Sequence, residues 1–77
     1  MIQILETILT IAIAKKTKAE ANLNIYLNNP AGVGEHPDVI GEADKLMSDI
    51  VDADGKIIYI QKVLEEIKSR DEESSDS

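Results

Sequence analysis

The sequence predicts an all-α protein: an antiparallel helical hairpin of two long helices that assembles into a four-helix bundle. Two long stretches carry apolar residues at alternating spacings of three and four, and one turn-rich segment separates them. The chain has 77 residues and no cysteine, Phe or Trp, so its core is aliphatic and no disulfide reinforces it. We therefore expect one coiled-coil-like domain over residues 1–69 that gains stability by forming oligomers.

The first helix is predicted over residues 2–28. Its start is densely apolar, but the run of about 14 residues is shorter than the roughly 20 that a membrane span needs. No Lys or Arg precedes it, as one would in a signal peptide. The apolar seam of this helix has one polar member, Lys16, whose stem can lie along the seam while its ammonium reaches water. The seam is Ile2, Leu5, Leu9, Ala12, Lys16, Ala19, Leu23 and Tyr26.

A loop is predicted over residues 29–36, because Asn28-Asn29-Pro30 is typical of a helix end. Pro37 suits the first position of the next helix, where its missing N–H has no partner to lose. Asp38 then places negative charge at the positive end of the helix dipole. A connection this short makes the two helices antiparallel.

The second helix is predicted over residues 37–69. Nine apolar residues form its seam without a polar exception: Val39, Ala43, Leu46, Ile50, Ala53, Ile57, Ile60, Leu64 and Ile67. Locally, Asp54-Gly55 followed by apolar residues is typical of a turn leading into a strand. The seam passes through Gly55 without a change of phase, which favours a helix there, with a bend as the alternative. Residues 70–77 lack apolar side chains and are predicted to be a disordered acidic tail.

The charge is uneven along the chain. Residues 1–34 carry a net charge of +1 and residues 35–77 carry −8, which together give the −7 of the whole chain. This balance argues against direct binding to nucleic acid or to an anionic membrane, and it suits a basic partner.

Apolar residues exceed what two packed helices can bury, mostly where the start of helix one meets the end of helix two. A two-fold homodimer is the expected remedy, with a tetramer as the larger assembly and docking of another protein as the rival. The expected oligomer interface is Ile4, Ile8, Ile11, Ile57, Ile58, Ile60, Val63 and Leu64.

Three patterns suggest small-ligand chemistry, and none is specific. His36 lies between acids, but a lone histidine in a tight turn is more typical of a surface residue than of a metal ligand, so a weak divalent site stays an alternative. The glycines before helix two lack the strand and lysine of a phosphate loop. Asp54-Gly55 resembles part of a calcium loop whose key ligands are missing. We expect no enzyme, no cofactor and no metal site.

The segment Asn22–Asp38, with its core NNPAGVGEHPD, resembles small uncharacterised proteins of tailed bacteriophages, including phages of marine cyanobacteria. The resemblance implies a phage-encoded accessory protein in the host cytoplasm. It also implies that the turn has a role beyond closing the hairpin. A partner-binding loop is therefore expected at Gly32, Val33, Gly34, Glu35, His36 and Asp38.

The sequence alone thus favours a small, cytoplasmic, oligomeric helical protein that interacts with other proteins and has no catalytic activity of its own. The alternative is an acidic decoy that imitates the charge of nucleic acid and occupies a basic host protein. The two differ in salt dependence, because a decoy loses affinity steeply as salt rises and apolar docking does not.

Overall fold

The computed structural model describes the backbone of residues 1–28 and 38–76, and the side chains of these residues up to Asp71. Two helices, α1 (Ile2–Asn28) and α2 (Val39–Asp76), account for the described chain apart from Met1 and Asp38. They pack against each other as an all-α hairpin that measures 64 × 17 × 15 Å. The predicted fold class is confirmed, while the predicted loop at 29–36 lies outside the described residues.

Helix α1 begins and ends where the sequence predicts. Its first turn closes when the backbone N–H of Leu5 donates to the carbonyl oxygen of Met1 at 3.2 Å. The hydroxyls of Thr7 and Thr10 donate to the carbonyl oxygens four residues earlier, at 2.8 and 3.0 Å, which satisfies both hydroxyls on the exposed side of the helix.

Helix α2 begins at Val39, two residues later than predicted, because Asp38 is its capping residue. The Asp38 carboxylate accepts a hydrogen bond from the backbone N–H of Gly41 at 3.0 Å, and the Asp38 carbonyl accepts from Glu42 at 3.1 Å. A side-chain acceptor three residues before the donor is the geometry of an N-cap. Pro37, which the sequence predicts as the first residue of this helix, lies outside the described residues.

Gly55 lies inside α2, which is continuous through it. No glycine among the described residues has a positive φ, so the backbone at Gly55 is that of an ordinary helix. The strand reading of this stretch is therefore wrong, and the phase of the seam was the better guide.

The far end of α2 departs from the prediction, because the helix extends to Asp76 where a disordered tail was expected from residue 70. No Pro or Gly interrupts this stretch, and Glu66 and Arg70 have the four-residue spacing at which opposite charges support a helix. Helix formation here needs no apolar face. Ser77 lies outside the described residues.

The core of the hairpin is narrow. Its buried side chains are Ala12, Ala19, Leu23, Ala53 and Ile60. Three of the five are alanines, which let the two backbones approach closely but bury little apolar surface each. The other predicted seam residues are half-buried, apart from Ile2, which is exposed. Both predicted seams are thus the contact between the helices.

Candidate interaction surface

The two sides of the hairpin next to the seam carry different residues. Lys15, Lys18 and Asn22 of α1 line a groove of about 340 Å³ together with residues of α2 that include Asp49, Asp52 and Lys56. A second groove nearer the loop joins Asn22 and Ile25 to Glu42 and Leu46. Asn22 therefore lies level with Leu46, that is, at the same height along the hairpin. Because the helices are antiparallel, each residue nearer the start of α1 is level with one residue further along α2. By the same count Ile8 is level with Ile60.

We call this side the lysine flank. It comprises the residues immediately before each seam residue, which continue at the same spacings of three and four. On α1 these are Met1, Ile4, Ile8, Ile11, Lys15, Lys18, Asn22 and Ile25, and on α2 they are Asp38, Glu42, Lys45, Asp49, Asp52, Lys56, Tyr59, Val63 and Glu66. Five acids and four bases give the side chains of this flank a net charge of −1.

The opposite side, the acidic flank, comprises the residues immediately after each seam residue. On α1 these are Gln3, Glu6, Thr10, Ile13, Thr17, Glu20, Asn24 and Leu27, and on α2 they are Ile40, Asp44, Met47, Val51, Asp54, Ile58, Gln61, Glu65 and Lys68. Leaving aside Asp54, which is paired as described next, four acids stand against one base and the flank carries a net charge of −3.

An ion pair joins the helices at the edge of the acidic flank. The Lys16 ammonium lies 2.8 Å from Oδ1 of Asp54, and both side chains are half-buried. The hydrogen bond from Lys16 to Asp54 and the charge of that carboxylate raise the pKa of Lys16 above the ordinary lysine value. Lys16 therefore does more than extend into water as the sequence suggested: it contacts a specific partner on the other helix.

The predicted oligomer interface does not form one surface. Ile4, Ile8 and Ile11 are exposed on the lysine flank, and half-buried Val63 lies on the same side. Ile58 is exposed on the acidic flank instead. Ile57 and Leu64 are half-buried in the seam, and Ile60 is only 5% exposed. Ile60 therefore belongs to the core of the hairpin and is not available to a second chain in this arrangement.

The predicted set left out several apolar side chains that the structure exposes. Tyr59 is exposed on the lysine flank, and the acidic flank exposes Ile13, Leu27, Ile40, Met47 and Val51. The sequence contains the information needed to find them. Listing the residues one position before and one position after each seam residue separates the apolar residues of the lysine flank from those of the acidic flank.

Most of the predicted partner-binding loop, Gly32 to His36, lies outside the described residues. Asp38 is described, and its side chain caps α2. Among residues 1–28 and 38–76, no group of three His, Asp or Glu side chains could hold a metal ion. Within the same ranges, neither helix is long and apolar enough to cross a membrane.

Comparison of the chain with protein-family models, curated proteins and solved structures gives no match. The resemblance of the 22–38 segment to bacteriophage proteins therefore stays an expectation from the sequence. Arguments about function depend on the two flanks.

Proposed function

We propose that this protein is a small oligomeric helical interaction protein without catalytic activity of its own, and that two hairpins join as a homodimeric four-helix bundle. The observation that carries the proposal is the imbalance between buried and exposed apolar side chains. Five apolar side chains are buried, while thirteen large ones among the described residues are exposed. Monomeric proteins rarely leave apolar side chains in contiguous patches, so this surface supports a protein that works in contact with others.

The energetics of the hairpin support the same conclusion. Burial contributes about 25 cal/mol per Å² of apolar surface, and alanine, which makes up most of this core, has the smallest side chain to bury. Short domains of this kind commonly need a disulfide, a metal or an oligomer to be stable, and the chain has no cysteine. Association would supply the missing burial.

The grooves favour binding over catalysis. The charged groups that line the groove between Lys15 and Asp52 are exposed lysines and aspartates. A general acid or base acts in a place beside the substrate that is shielded from water. The charged side chains of this groove are exposed, which supports a role in recognition.

The arrangement of charges gives less support to the acidic decoy. Asp49 and Asp52 share their groove with three lysines, and Asp54 is paired with Lys16. An imitation of nucleic acid needs a row of carboxylates free of such counter-charges. We also propose a cytoplasmic location, the host cytoplasm if the chain is phage-encoded, which the absence of cysteine supports.

The solution mass of the purified chain tests the proposal. Light scattering over a concentration series is expected to give twice the chain mass of 8.4 kDa, with helical circular dichroism throughout. The mass should change little between low and high salt, because apolar contacts drive the association. A folded protein that stays at the chain mass at every concentration would contradict the proposed homodimer.

A further inference from the structure

We propose that the lysine flank, and not the acidic flank, is the surface through which two copies associate, and that the hairpins lie parallel with α1 of each chain against α2 of its partner. This inference rests on the proposed function, since it assumes that the chain forms a dimer, and it adds the surface and the direction. The second copy of the chain is the occupant to which the argument below commits.

Charge selects the flank. In a two-fold dimer each flank meets its own copy, so a net charge on the flank is repelled by an equal charge. The acidic flank would bring −3 against −3, whereas the lysine flank would bring only −1 against −1, with acids and bases interspersed. Like charges opposed across an interface disfavour association, and mixed charges permit it. Apolar side chains are present on both flanks, so their presence alone does not distinguish them.

The apolar side chains of the lysine flank gather at one end. Ile4, Ile8 and Ile11 occupy the first turns of α1, and Tyr59 and Val63 lie level with them on α2. Four of these five are exposed and Val63 is half-buried. They form an apolar cluster about 10 Å long at 1.5 Å per residue, followed along the hairpin by the charged groove. The flank therefore has an apolar half and a charged half.

The order of charges along the flank selects the direction. If the hairpins lie parallel, a two-fold axis along their length sets α1 of one chain against α2 of the other. Lys15 then faces the partner's Asp52, and Lys18 faces the partner's Asp49, since these residues are level. At the apolar end, Ile8 faces the partner's Tyr59. In this direction Ile4 and Ile8 meet Val63 and Tyr59 of the other chain, and Lys15 and Lys18 meet its aspartates.

The antiparallel arrangement loses these matches. There α1 faces α1 of the partner, so an overlap centred on the apolar cluster leaves Lys15 and Lys18 beyond the partner's first residue. An overlap centred on the groove brings Lys15 against the partner's Lys18 instead. Neither alternative pairs the lysines with aspartates, so the parallel dimer is the one that the flank fits.

Two isoleucines of α1 provide a matched test of the flank. Ile8 and Ile13 lie on opposite flanks, and they are 41% and 46% exposed. Ile8→Asp should raise the dissociation constant of the dimer about tenfold or more, because it places a carboxylate against the apolar side chains of the interface, while Ile13→Asp should leave the constant nearly unchanged. Light scattering and circular dichroism would report mass and folding for both variants.

Cross-linking tests the direction and does not depend on the folding of a charged variant. The chain has no cysteine, so single substitutions give unambiguous disulfides. Chains with Ile8→Cys mixed with chains with Tyr59→Cys should form the mixed disulfide on mild oxidation, because a disulfide needs Cα atoms within about 7 Å. Chains with Val51→Cys mixed with chains with Thr17→Cys, at matching levels of the acidic flank, should not cross-link.

The outcomes separate this inference from the proposed function. The choice of flank would be overturned if Ile13→Asp weakened the dimer, or the Val51→Cys and Thr17→Cys chains captured it as a disulfide, while the lysine-flank variants did neither. The homodimer itself would stand. Self-coupling of Ile8→Cys in place of the mixed disulfide would overturn the parallel direction alone. A wild-type chain that is monomeric at all concentrations would overturn both proposals together.

Discussion

Lys16 shows how one residue can set the alignment of two helices. It occupies a seam position that is otherwise apolar, and its ammonium contacts Asp54 at 2.8 Å. The residues one heptad before and after Asp54 are Met47 and Gln61, so sliding α2 by a heptad would leave Lys16 without a carboxylate. Polar groups in a seam commonly select register in this way, at some cost in stability.

We predict a pH-dependent coupling between Lys16 and Asp54. A lysine whose pKa is raised by folding stabilises the protein fully below its unfolded pKa, near 10.4, and this stabilisation is lost as pH rises through the folded pKa. A double-mutant cycle of Lys16→Met and Asp54→Asn should give a favourable coupling at about pH 7 and none at a pH above the raised pKa of Lys16. Urea unfolding at both pH values measures it.

The double variant serves as its own control, because the cycle cancels the titration of the tyrosines and of other lysines. An equal coupling at both pH values would show that the two side chains interact by packing and not by charge. The sequence places Lys16 in the seam but does not identify Asp54 as its partner, because that pairing depends on the register of the helices. The register of two helices depends on the geometry of the connection between them. The sequence gives the length of that connection but not its geometry.

At the scale of the elements, α2 contains two glycines with different surroundings. A Cβ added at Gly55 would meet no atom within 4 Å, whereas a Cβ at Gly41 would collide with the Asp38 carboxylate that caps the helix. Neither glycine has a positive φ. At Gly55 nothing in the structure offsets the free-energy cost of a glycine within a helix. At Gly41 the missing side chain leaves room for the Asp38 carboxylate that caps the helix.

We predict that Gly55→Ala raises the free energy of unfolding by about 0.5–1 kcal/mol, the usual penalty of glycine within a helix. Gly41→Ala should gain little or nothing, since displacing the Asp38 carboxylate forfeits a cap worth about 1 kcal/mol. Urea unfolding of both variants at one protein concentration measures the difference. Equal stabilisation by the two substitutions would contradict the structural role given to Asp38.

The elements differed in how well the sequence determined them. Helix α1 could be bounded from its seam and from Asn28-Asn29-Pro30, which punctuate it clearly. The end of α2 could not, because the argument for disorder relied on the absence of apolar residues, whereas a helix that already has a packed stem can continue through charged residues to Asp76. The composition of a segment shows how much apolar surface it can bury. It does not show where a helical backbone ends.

At the scale of the whole molecule, the hairpin is a rod with a thin core. Ile60 is the largest contribution of α2 to that core, and it is 5% exposed. The sequence identified the seam that contains Ile60 but also counted Ile60 in the oligomer interface. The predicted interface placed apolar residues from outside the seam in one patch, although they lie on two different flanks. The number of apolar residues outside the seam shows how much apolar surface is exposed. Only the position of each residue, before or after a seam residue, shows on which flank it lies.

We predict that Ile60→Asp unfolds the protein, while Gln61→Asp at the adjacent exposed position leaves it folded. A carboxylate at Ile60 would lie unpaired between the helices, at a cost of several kcal/mol. Native domains of this length have only about 4–11 kcal/mol to lose. Far-UV circular dichroism of the two variants measures the loss of helix. A folded Ile60→Asp chain with wild-type stability would refute the packing described here.

The negative charge of the acidic flank also bears on how large an assembly can grow. This flank exposes Ile40, Met47, Val51 and Ile58, so a dimer joined through its lysine flanks would still present apolar side chains on both outer surfaces. In the proposed dimer, repulsion between outer surfaces of net charge −3 would oppose stacking into longer arrays at neutral pH. Near the isoelectric point of the whole chain, about 4.5, the net charge that opposes stacking falls towards zero. The carboxylates of this flank would therefore limit the proposed assembly to a closed pair, and acidification would favour its growth into longer arrays.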